Sequence, residues 1–354
     1  MSLIGVALQT IYCLQGLKRK MLIEYTKFYY QALSEDKKSI YKELYEGFRA
    51  RKKSIEVHAD LRRLTPKDIS DIAISVYNDT PSFYYLDVTK YSYIPTPFGY
   101  IYSQNYIYTD KEIEEYDRRL EQGLNIFRKK YILPNMTEYQ KEKIIHDYLV
   151  KTVVYDHEAL NSANHIDEAF NVLGPLLKKR AVCWGIACAF KLLCDYCQIK
   201  SFVVIGNTIP RQGDAGHAWN MVKINEETFH VDVTWDIKEK GDISFCYDYF
   251  NLDDKLILAN HTWESKLYPK CVSIKQNYYY KNHLFVKTTS DLSSYISSRL
   301  RANDQYIAVK YANAMPPKAE IESAIQAGFL KALKFSPYRY SISELTHNIY
   351  IEIV

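Results

Sequence analysis

The sequence of 354 residues has no stretch that approaches the roughly 18 consecutive apolar residues of a membrane span. It also has no long basic run, because 46 Lys and Arg are interspersed with 42 Asp and Glu, which gives a net charge of +4. So small a charge on so long a chain does not indicate nucleic-acid binding. No internal repeat or low-complexity segment stands out. We therefore expect a globular protein with neither a membrane span nor a nucleic-acid partner.

Cysteine is scarce, with seven copies in the chain. Disulfide frameworks are typical of short secreted domains, so most of these thiols are expected to be reduced. Cys194 and Cys197 form a C-x-x-C pair, but no second such pair and no H-x-x-x-H stands at zinc-finger spacing. Both lie in the same apolar pattern as Leu192 and Leu193, which favours buried thiols. We predict no metal and no other cofactor.

The first twenty residues, MSLIGVALQTIYCLQGLKRK, are mildly apolar, and their positive charges follow the apolar part. A secretory signal peptide has the opposite order. We expect either a cytoplasmic protein or an exported one whose signal is not contained in this sequence. The pattern indicates neither the compartment nor the oligomeric state.

The length favours two or three domains. We predict a mixed helical and strand region over 1–132, a core over 133–265 and a small α+β unit over 266–354, which begins with a strand at YYYKNHLFV. Thr65 before Pro66, and Thr137 three residues before Gln140, are predicted helix starts. The 33 tyrosines favour half-buried strand positions, although clusters such as NYYYKNH are compatible with a sugar or peptide cleft.

The stretch AVCWGIACAFKLLCDYC is small or apolar almost all round from Cys183 onward, which predicts a buried helix. Cys183 lies at its start, where the helix dipole favours a thiolate and free backbone N–H groups can receive an oxyanion. Gly185 keeps the first turn slim, so a substrate chain could approach closely. Cys188 is predicted to be a packing residue further along the helix.

The segments GHAWNMVKI and TFHVDVTWD are predicted strands joined by a two-residue turn at Asn225-Glu226. This register pairs Trp219 with Asp232. His217 and Asp232 become diagonal neighbours on one face, with Cβ atoms roughly 7–8 Å apart. A carboxylate in that place fixes the imidazole tautomer and stabilises the imidazolium.

Cys183, His217 and Asp232 together supply the groups that a thiol acyl-transfer enzyme needs. Taken singly, a cysteine ahead of a helix is commonly a small buried hydrophobe, and a histidine is commonly structural. An aspartate within a strand needs a partner if it is buried. From these residues alone, a catalytic triad and a structural role both stay open.

Three blocks, AVCWGIACAFKLLCDYCQIK, GHAWNMVKI and FHVDVTWD, resemble the signature segments of the transglutaminase-like superfamily, which carry its Cys, His and Asp in this order. KIIHDYLVKTVVYD, YDYFNLDDKLILANHTW and YNDTPSFYYL resemble flanking elements of bacterial members. The resemblance is strong over about residues 137–263. Trp184 departs from many bacterial relatives, which have Gln directly after the cysteine.

The resemblance implies an α+β fold with a papain-like core, in which the nucleophile helix packs on an antiparallel sheet. An N-terminal mixed region and a small C-terminal α+β domain flank this core. The resemblance further implies that Cys183 is the nucleophile, that His217 is the general base and acid, and that Asp232 orients His217.

The function implied by the resemblance is a thiol-dependent amide-bond enzyme that forms a thioester on a protein or peptide substrate. A cysteine peptidase or amidase is favoured, because water needs no dedicated amine site. A protein-glutamine transglutaminase and a catalytically inactive binding or scaffold protein are the alternatives. Trp184, Gly185 and Trp219 are the candidates for substrate or oxyanion contacts.

Overall fold

The computed structural model describes residues 25–161, 168–209, 215–237 and 247–354. The apolar start of the chain, residues 1–20, lies outside these ranges. Within them, no helix combines the length and the apolar character that crossing a bilayer requires.

The described elements before residue 133 are helices packed on a three-stranded antiparallel sheet of order β1-β3-β2. Thr65 accepts a hydrogen bond from the backbone N–H of Asp68 in a capping box, with Pro66 at the first helical position, as predicted. The elements are α1 (Phe28–Ala32), α2 (Glu35–Arg49), β1 (Ser54–His58), α3 (Pro66–Asp79), β2 (Leu86–Thr96), β3 (Gly99–Tyr106) and α4 (Asp110–Tyr131).

The central part contains a five-stranded antiparallel sheet of order β10-β6-β7-β8-β9 and the helix that begins at Cys183. Its first helix starts at a capping box of Thr137 and Gln140, as predicted. The elements are α5 (Glu138–Thr152), β4 (Val154–Tyr155), α6 (His157–Asn161), β5 (Arg180–Ala181), α7 (Cys183–Tyr196), β6 (Ser201–Thr208), β7 (Ala215–Ile224), β8 (Glu227–Val231), α8 (Val233–Asp236), β9 (Phe250–Leu252), α9 (Asp254–Ile257) and β10 (His261–Trp263).

Helix α7 packs against β6 and β7 and is buried over most of its length, as its apolar sequence predicts. The side-chain amide of Asn220 on β7 donates a hydrogen bond to the Ala187 carbonyl at 3.0 Å, which fixes the helix on the sheet. The predicted α+β class, with the helix that begins at Cys183 packed on an antiparallel sheet, is confirmed.

The β7–β8 hairpin has the predicted turn and register. Asn225 and Glu226 have φ angles of 50° and 68°, which is typical of a two-residue type I′ turn, and Asn220 pairs with Val231. The second strand, however, ends at Val231, so the prediction that it continues past Asp232 was wrong. Asp232 caps a short helix instead, because its carboxylate accepts hydrogen bonds from the next backbone N–H groups.

The N-terminal elements share a hydrophobic core with the central part. Phe48 of α2 and Val76 of α3 belong to the same buried cluster as Ala187 and Phe190 of α7. Side chains from before residue 133 also contact α7 directly, since the Tyr77 ring packs edge-on against Trp184. The domain boundaries at 132/133 and 265/266 stay predictions.

The C-terminal part forms a four-stranded sheet of order β11-β12-β14-β13, with two helices packed over a separate hydrophobic cluster. The predicted strand at YYYKNHLFV begins as a helical turn, because the Asn277 side chain caps it. Tyr279 in this turn is buried, and its hydroxyl donates a hydrogen bond to Asp248 at 3.0 Å, which supports a packing role. The elements are α10 (Tyr278–Lys281), β11 (Phe285–Val286), α11 (Thr289–Arg301), β12 (Tyr306–Tyr311), α12 (Lys318–Ala332), β13 (Tyr338–Ser343) and β14 (Asn348–Ile353).

Candidate active site

Cys183 is the first residue of α7 and is partly exposed, whereas the other described cysteines are buried. Burial raises the pKa of the Cys188 thiol to about 12 and that of Cys197 to about 11. The N-cap residue is Val182, which has no side chain that can accept from the first N–H groups of the helix. The start of α7 therefore presents both a thiol and backbone donors.

His217 lies on β7 between Cys183 and Asp232. Its Nε2 is 2.7 Å from Asp232 Oδ2, which leaves Nδ1 as the nitrogen available to the nearby Cys183 side chain. Burial alone would lower the pKa of His217, but the charge and hydrogen bond of Asp232, with a further contribution from Cys183, raise it to about 10. The imidazole is therefore protonated at neutral pH.

Asp232 is 1% exposed and accepts four hydrogen bonds. Its Oδ1 accepts from the backbone N–H groups of Thr234 and Trp235 at 2.9 and 3.3 Å. Its Oδ2 receives the side chains of His217 and His261 at 2.7 and 3.0 Å. Burial would raise the pKa of Asp232, but the two histidines overcome this and hold it well below its ordinary range.

His261 is a site residue that the sequence reasoning missed. It lies on β10, is fully buried, and has Nε2 on Asp232 and Nδ1 2.6 Å from Asn260 Oδ1. The only signal in the sequence was its place in ANHTW, within the segment that resembles the family after the core. No local spacing indicates that it meets Asp232.

The indole N–H groups of Trp184 and Trp219, the two tryptophans predicted to contact substrate or an oxyanion, bind other side chains of the protein. The Trp184 indole N–H donates to Asn78 Oδ1 at 3.2 Å, and its ring packs edge-on against Tyr77 on α3. The Trp219 indole N–H donates to His230 Nδ1 at 3.0 Å, while its ring stacks beside His217. These donors are therefore engaged within the protein.

Gly185 is buried, and neighbouring backbone leaves no room for a side chain at this position. A Cβ at this position would lie 2.2 Å from the Ala169 carbonyl oxygen and 3.0 Å from that of Asn171. This face of the first turn consequently packs against the segment at 169–171, and no substrate approaches along it.

Two groups of three potential metal ligands occur among the described residues: His217 with Asp232 and His261, and His230 with Asp254 and Cys271. In the first group, both histidine Nε2 atoms already reach Asp232 Oδ2 at hydrogen-bond distance. The hydrogen-bonding therefore suits proton transfer better than metal coordination.

The second group has a defined tautomer. Because an indole N–H can only donate, His230 Nδ1 is the acceptor for Trp219. His230 Nε2 then carries the proton and donates it to Asp254 Oδ1 at 2.9 Å. This nitrogen has no lone pair for a metal, so the cluster serves to hold Trp219 beneath His217.

Comparison with known proteins gives one family match. Residues 127–233 match the family model of the Transglutaminase-like superfamily, whereas a search of curated proteins gives no match. The chain is similar to a solved protein from Cytophaga hutchinsonii provisionally described as a cysteine protease, with 13% identity and a TM-score of 0.27, covering 41% of this chain and 61% of that one. It is also similar to a TGase crystal structure, with 19% identity and a TM-score of 0.28, covering 46% of this chain and 48% of that one.

The matched segment contains Cys183, His217 and Asp232. In both structural comparisons, the chain spans less than two thirds of the solved protein. Residues 127–233 therefore form a domain of the Transglutaminase-like superfamily.

Proposed function

We propose that this protein is a thiol-dependent enzyme that cleaves an amide bond through a thioester at Cys183, as a cysteine peptidase or amidase. The observation that carries the proposal is the arrangement of a partly exposed Cys183 at the start of α7, a neighbouring His217, and the buried carboxylate of Asp232 bonded to His217 at 2.7 Å. A protonated His217 beside the thiol favours the thiolate, which is the nucleophilic form of cysteine.

The proposed first half-reaction forms the thioester. The Cys183 thiolate attacks the carbonyl carbon of the amide, and the carbonyl π electrons move to oxygen. The tetrahedral intermediate then collapses, the C–N bond breaks, and the His217 Nδ1–H proton passes to the leaving nitrogen. The amine departs, and His217 is left neutral with Asp232 still bound to its Nε2.

The proposed second half-reaction restores the enzyme. Neutral His217 takes a proton from a water molecule while the water oxygen attacks the thioester carbonyl. The C–S bond breaks, the carboxylic acid leaves, and the thiolate and imidazolium form again. An amine acceptor would use the same thioester in a transglutaminase, but water needs no dedicated binding site, so we favour hydrolysis of a protein or peptide.

A non-catalytic scaffold protein, the alternative, would not require the cysteine and the histidine to lie close together. The nearness of Cys183 to His217, and the four hydrogen bonds that hold Asp232, favour the enzyme over this alternative. A protein retained only for binding gains nothing from a histidine protonated beside a thiol.

The first test is selective labelling. With limiting iodoacetamide at pH 7, followed by mass spectrometry, Cys183 should be alkylated well before the buried thiols, and a His217→Ala variant should lose this preference. Cys188→Ala is the matched control, because it removes a buried thiol of the same helix. Labelling of Cys183 no faster than the rest would contradict the proposal.

The second test is turnover. Peptide cleavage and incorporation of a fluorescent amine into a glutamine-containing protein are measured side by side for the wild type and for Cys183→Ala. We expect cleavage that depends on Cys183. Amine incorporation without cleavage would instead identify a transglutaminase, and equal behaviour of both proteins on all substrates would refute an enzyme.

A further inference from the structure

Tyr155 is held beside the nucleophile by backbone pairing. Strand β4 pairs in parallel with β5, so that Tyr155 lies opposite Ala181, two residues before Cys183. The backbone N–H of Asp156 donates to the Ala181 carbonyl at 3.0 Å, and the Asp156 carboxylate pairs with Arg180 at 3.1 Å. The position of Tyr155 relative to the start of α7 is thus fixed on both sides.

The hydroxyl of Tyr155 lies near the backbone N–H of Cys183, which acts to lower the pKa of that hydroxyl. This N–H is in the first turn of α7 and has no acceptor within the helix, and Val182 offers none from its side chain. An oxyanion that forms on a carbonyl attacked by Cys183 lies next to this N–H, because the reacting carbon is bonded to the sulfur of the same residue. The Tyr155 hydroxyl is therefore at the edge of the oxyanion position.

Tyr155 retains its proton under all ordinary conditions. Burial, together with the negative charges of Cys183 and Asp232, raises the pKa of Tyr155 well above its ordinary value. A protonated phenol hydroxyl has an O–H proton that it can donate in a hydrogen bond. The two indole donors that the sequence offers for this role, Trp184 and Trp219, are engaged with Asn78 and His230.

We propose that the Tyr155 hydroxyl is the side-chain donor of the oxyanion hole and acts together with the backbone N–H of Cys183. This inference rests on the proposed function. When the thiolate attacks, the C–S bond forms and the carbonyl π electrons move to oxygen. That oxygen accepts hydrogen bonds from Cys183 N–H and Tyr155 O–H, and neither proton is transferred. When the C–N bond breaks, an electron pair on this oxygen forms the C=O double bond again, and the nitrogen leaves with the proton from His217.

Two reactions of Cys183 separate this role from others. Acylation by p-nitrophenyl acetate passes through a tetrahedral oxyanion and is followed as the burst of p-nitrophenolate. Alkylation by iodoacetamide displaces iodide at a methylene carbon and forms no oxyanion. In a Tyr155→Phe variant, the acylation rate constant should fall by about 10²- to 10³-fold, the effect of removing one oxyanion donor. The alkylation rate constant should stay close to wild type.

The matched control is Tyr196→Phe, which removes a tyrosine hydroxyl bonded to Asn125 at the far end of the same helix. It should leave both rate constants unchanged. Tyr155→Phe keeps the ring that packs with Ala159, Ala169 and Val182, so it is expected to fold, and circular dichroism checks this.

An unchanged acylation rate in Tyr155→Phe overturns the inference, as does an equal fall in acylation and alkylation, which would mean that Tyr155 acts on the thiolate. If the wild type shows neither a burst nor selective labelling of Cys183, the proposed function itself fails. If both are present and only the Tyr155 effect is missing, the proposed function stands and this inference alone is refuted.

Discussion

The Asp232→Asn substitution tests the site most sharply, because this side chain is surrounded by four donors. Two backbone N–H groups bind Oδ1, and the side chains of His217 and His261 bind Oδ2. An asparagine has a single acceptor oxygen, so its NH₂ group must face either the helix start or the histidines. Neither orientation satisfies all four partners.

The size of the effect follows from the two orientations. Asn is as good an N-cap as Asp, so the oxygen is expected to face the backbone, and the NH₂ group then faces His217. The donor conflict at a buried position costs about 1–3 kcal/mol of unfolding free energy. Without the carboxylate, the largest influences that raise the pKa of His217 are gone while burial still lowers it, so this pKa should fall from about 10.

The kinetic consequence is a smaller fraction of imidazolium at pH 7.5 and stabilisation of the wrong tautomer. We expect the acylation rate constant to fall by about 10⁴-fold, as when the aspartate of a serine-protease triad is replaced by asparagine. The assay is the p-nitrophenyl acetate burst at pH 7.5, with urea unfolding of the same preparation to verify the small stability loss.

Asp253→Asn is the matched control. Asp253 caps α9 by accepting from the Leu256 N–H at 2.8 Å and lies outside the site, so the same exchange should leave acylation unchanged. If Asp232→Asn acylates as fast as Asp253→Asn, then the carboxylate does not set the state of His217, and the reasoning is refuted.

Three further predictions follow from single side chains. Because the pKa of His217 is about 10, amide turnover should decline through about pH 10 as its acidic proton is lost, while alkylation of Cys183 persists above that pH; parallel decline of both would contradict the assignment. Trp184→Phe should lower the unfolding free energy by about 1 kcal/mol, because the hydrogen bond to Asn78 is lost, and should leave the acylation rate unchanged. Slower acylation without a loss of stability would instead mean that the indole takes part in the reaction. Burial raises the pKa of Glu142 from 4.5 to about 8, so the folded state holds a proton that the unfolded state releases. The unfolding free energy should therefore fall as pH rises from about 4.5 to about 8, and Glu142→Gln, compared with wild type by urea unfolding at pH 5.5 and 8.5, should weaken this dependence; an identical dependence in both proteins would refute it.

Local signals predicted the parts of the fold that are local in the chain. The two-residue turn at Asn225-Glu226 sets the register of the hairpin by itself, since each pair in an antiparallel ladder follows from the turn. The capping boxes at Thr65 and Thr137 depend on residues three positions apart. Asp232 was misplaced because the strand pattern runs through it, although aspartate is a strong N-cap and a poor strand residue.

The sequence by itself determined the order and the chemical types of Cys183, His217 and Asp232, and the helix and hairpin that present them. Only the tertiary structure decided their surroundings: His261 reaches Asp232 from 29 residues away, and Asn78 takes the Trp184 N–H from 106 residues away. The same packing brings Tyr155 to the backbone of Cys183. The physical reason is that a hydrogen-bond donor binds whichever acceptor the folded chain places within about 3 Å of it, and no periodicity along the sequence encodes that distance.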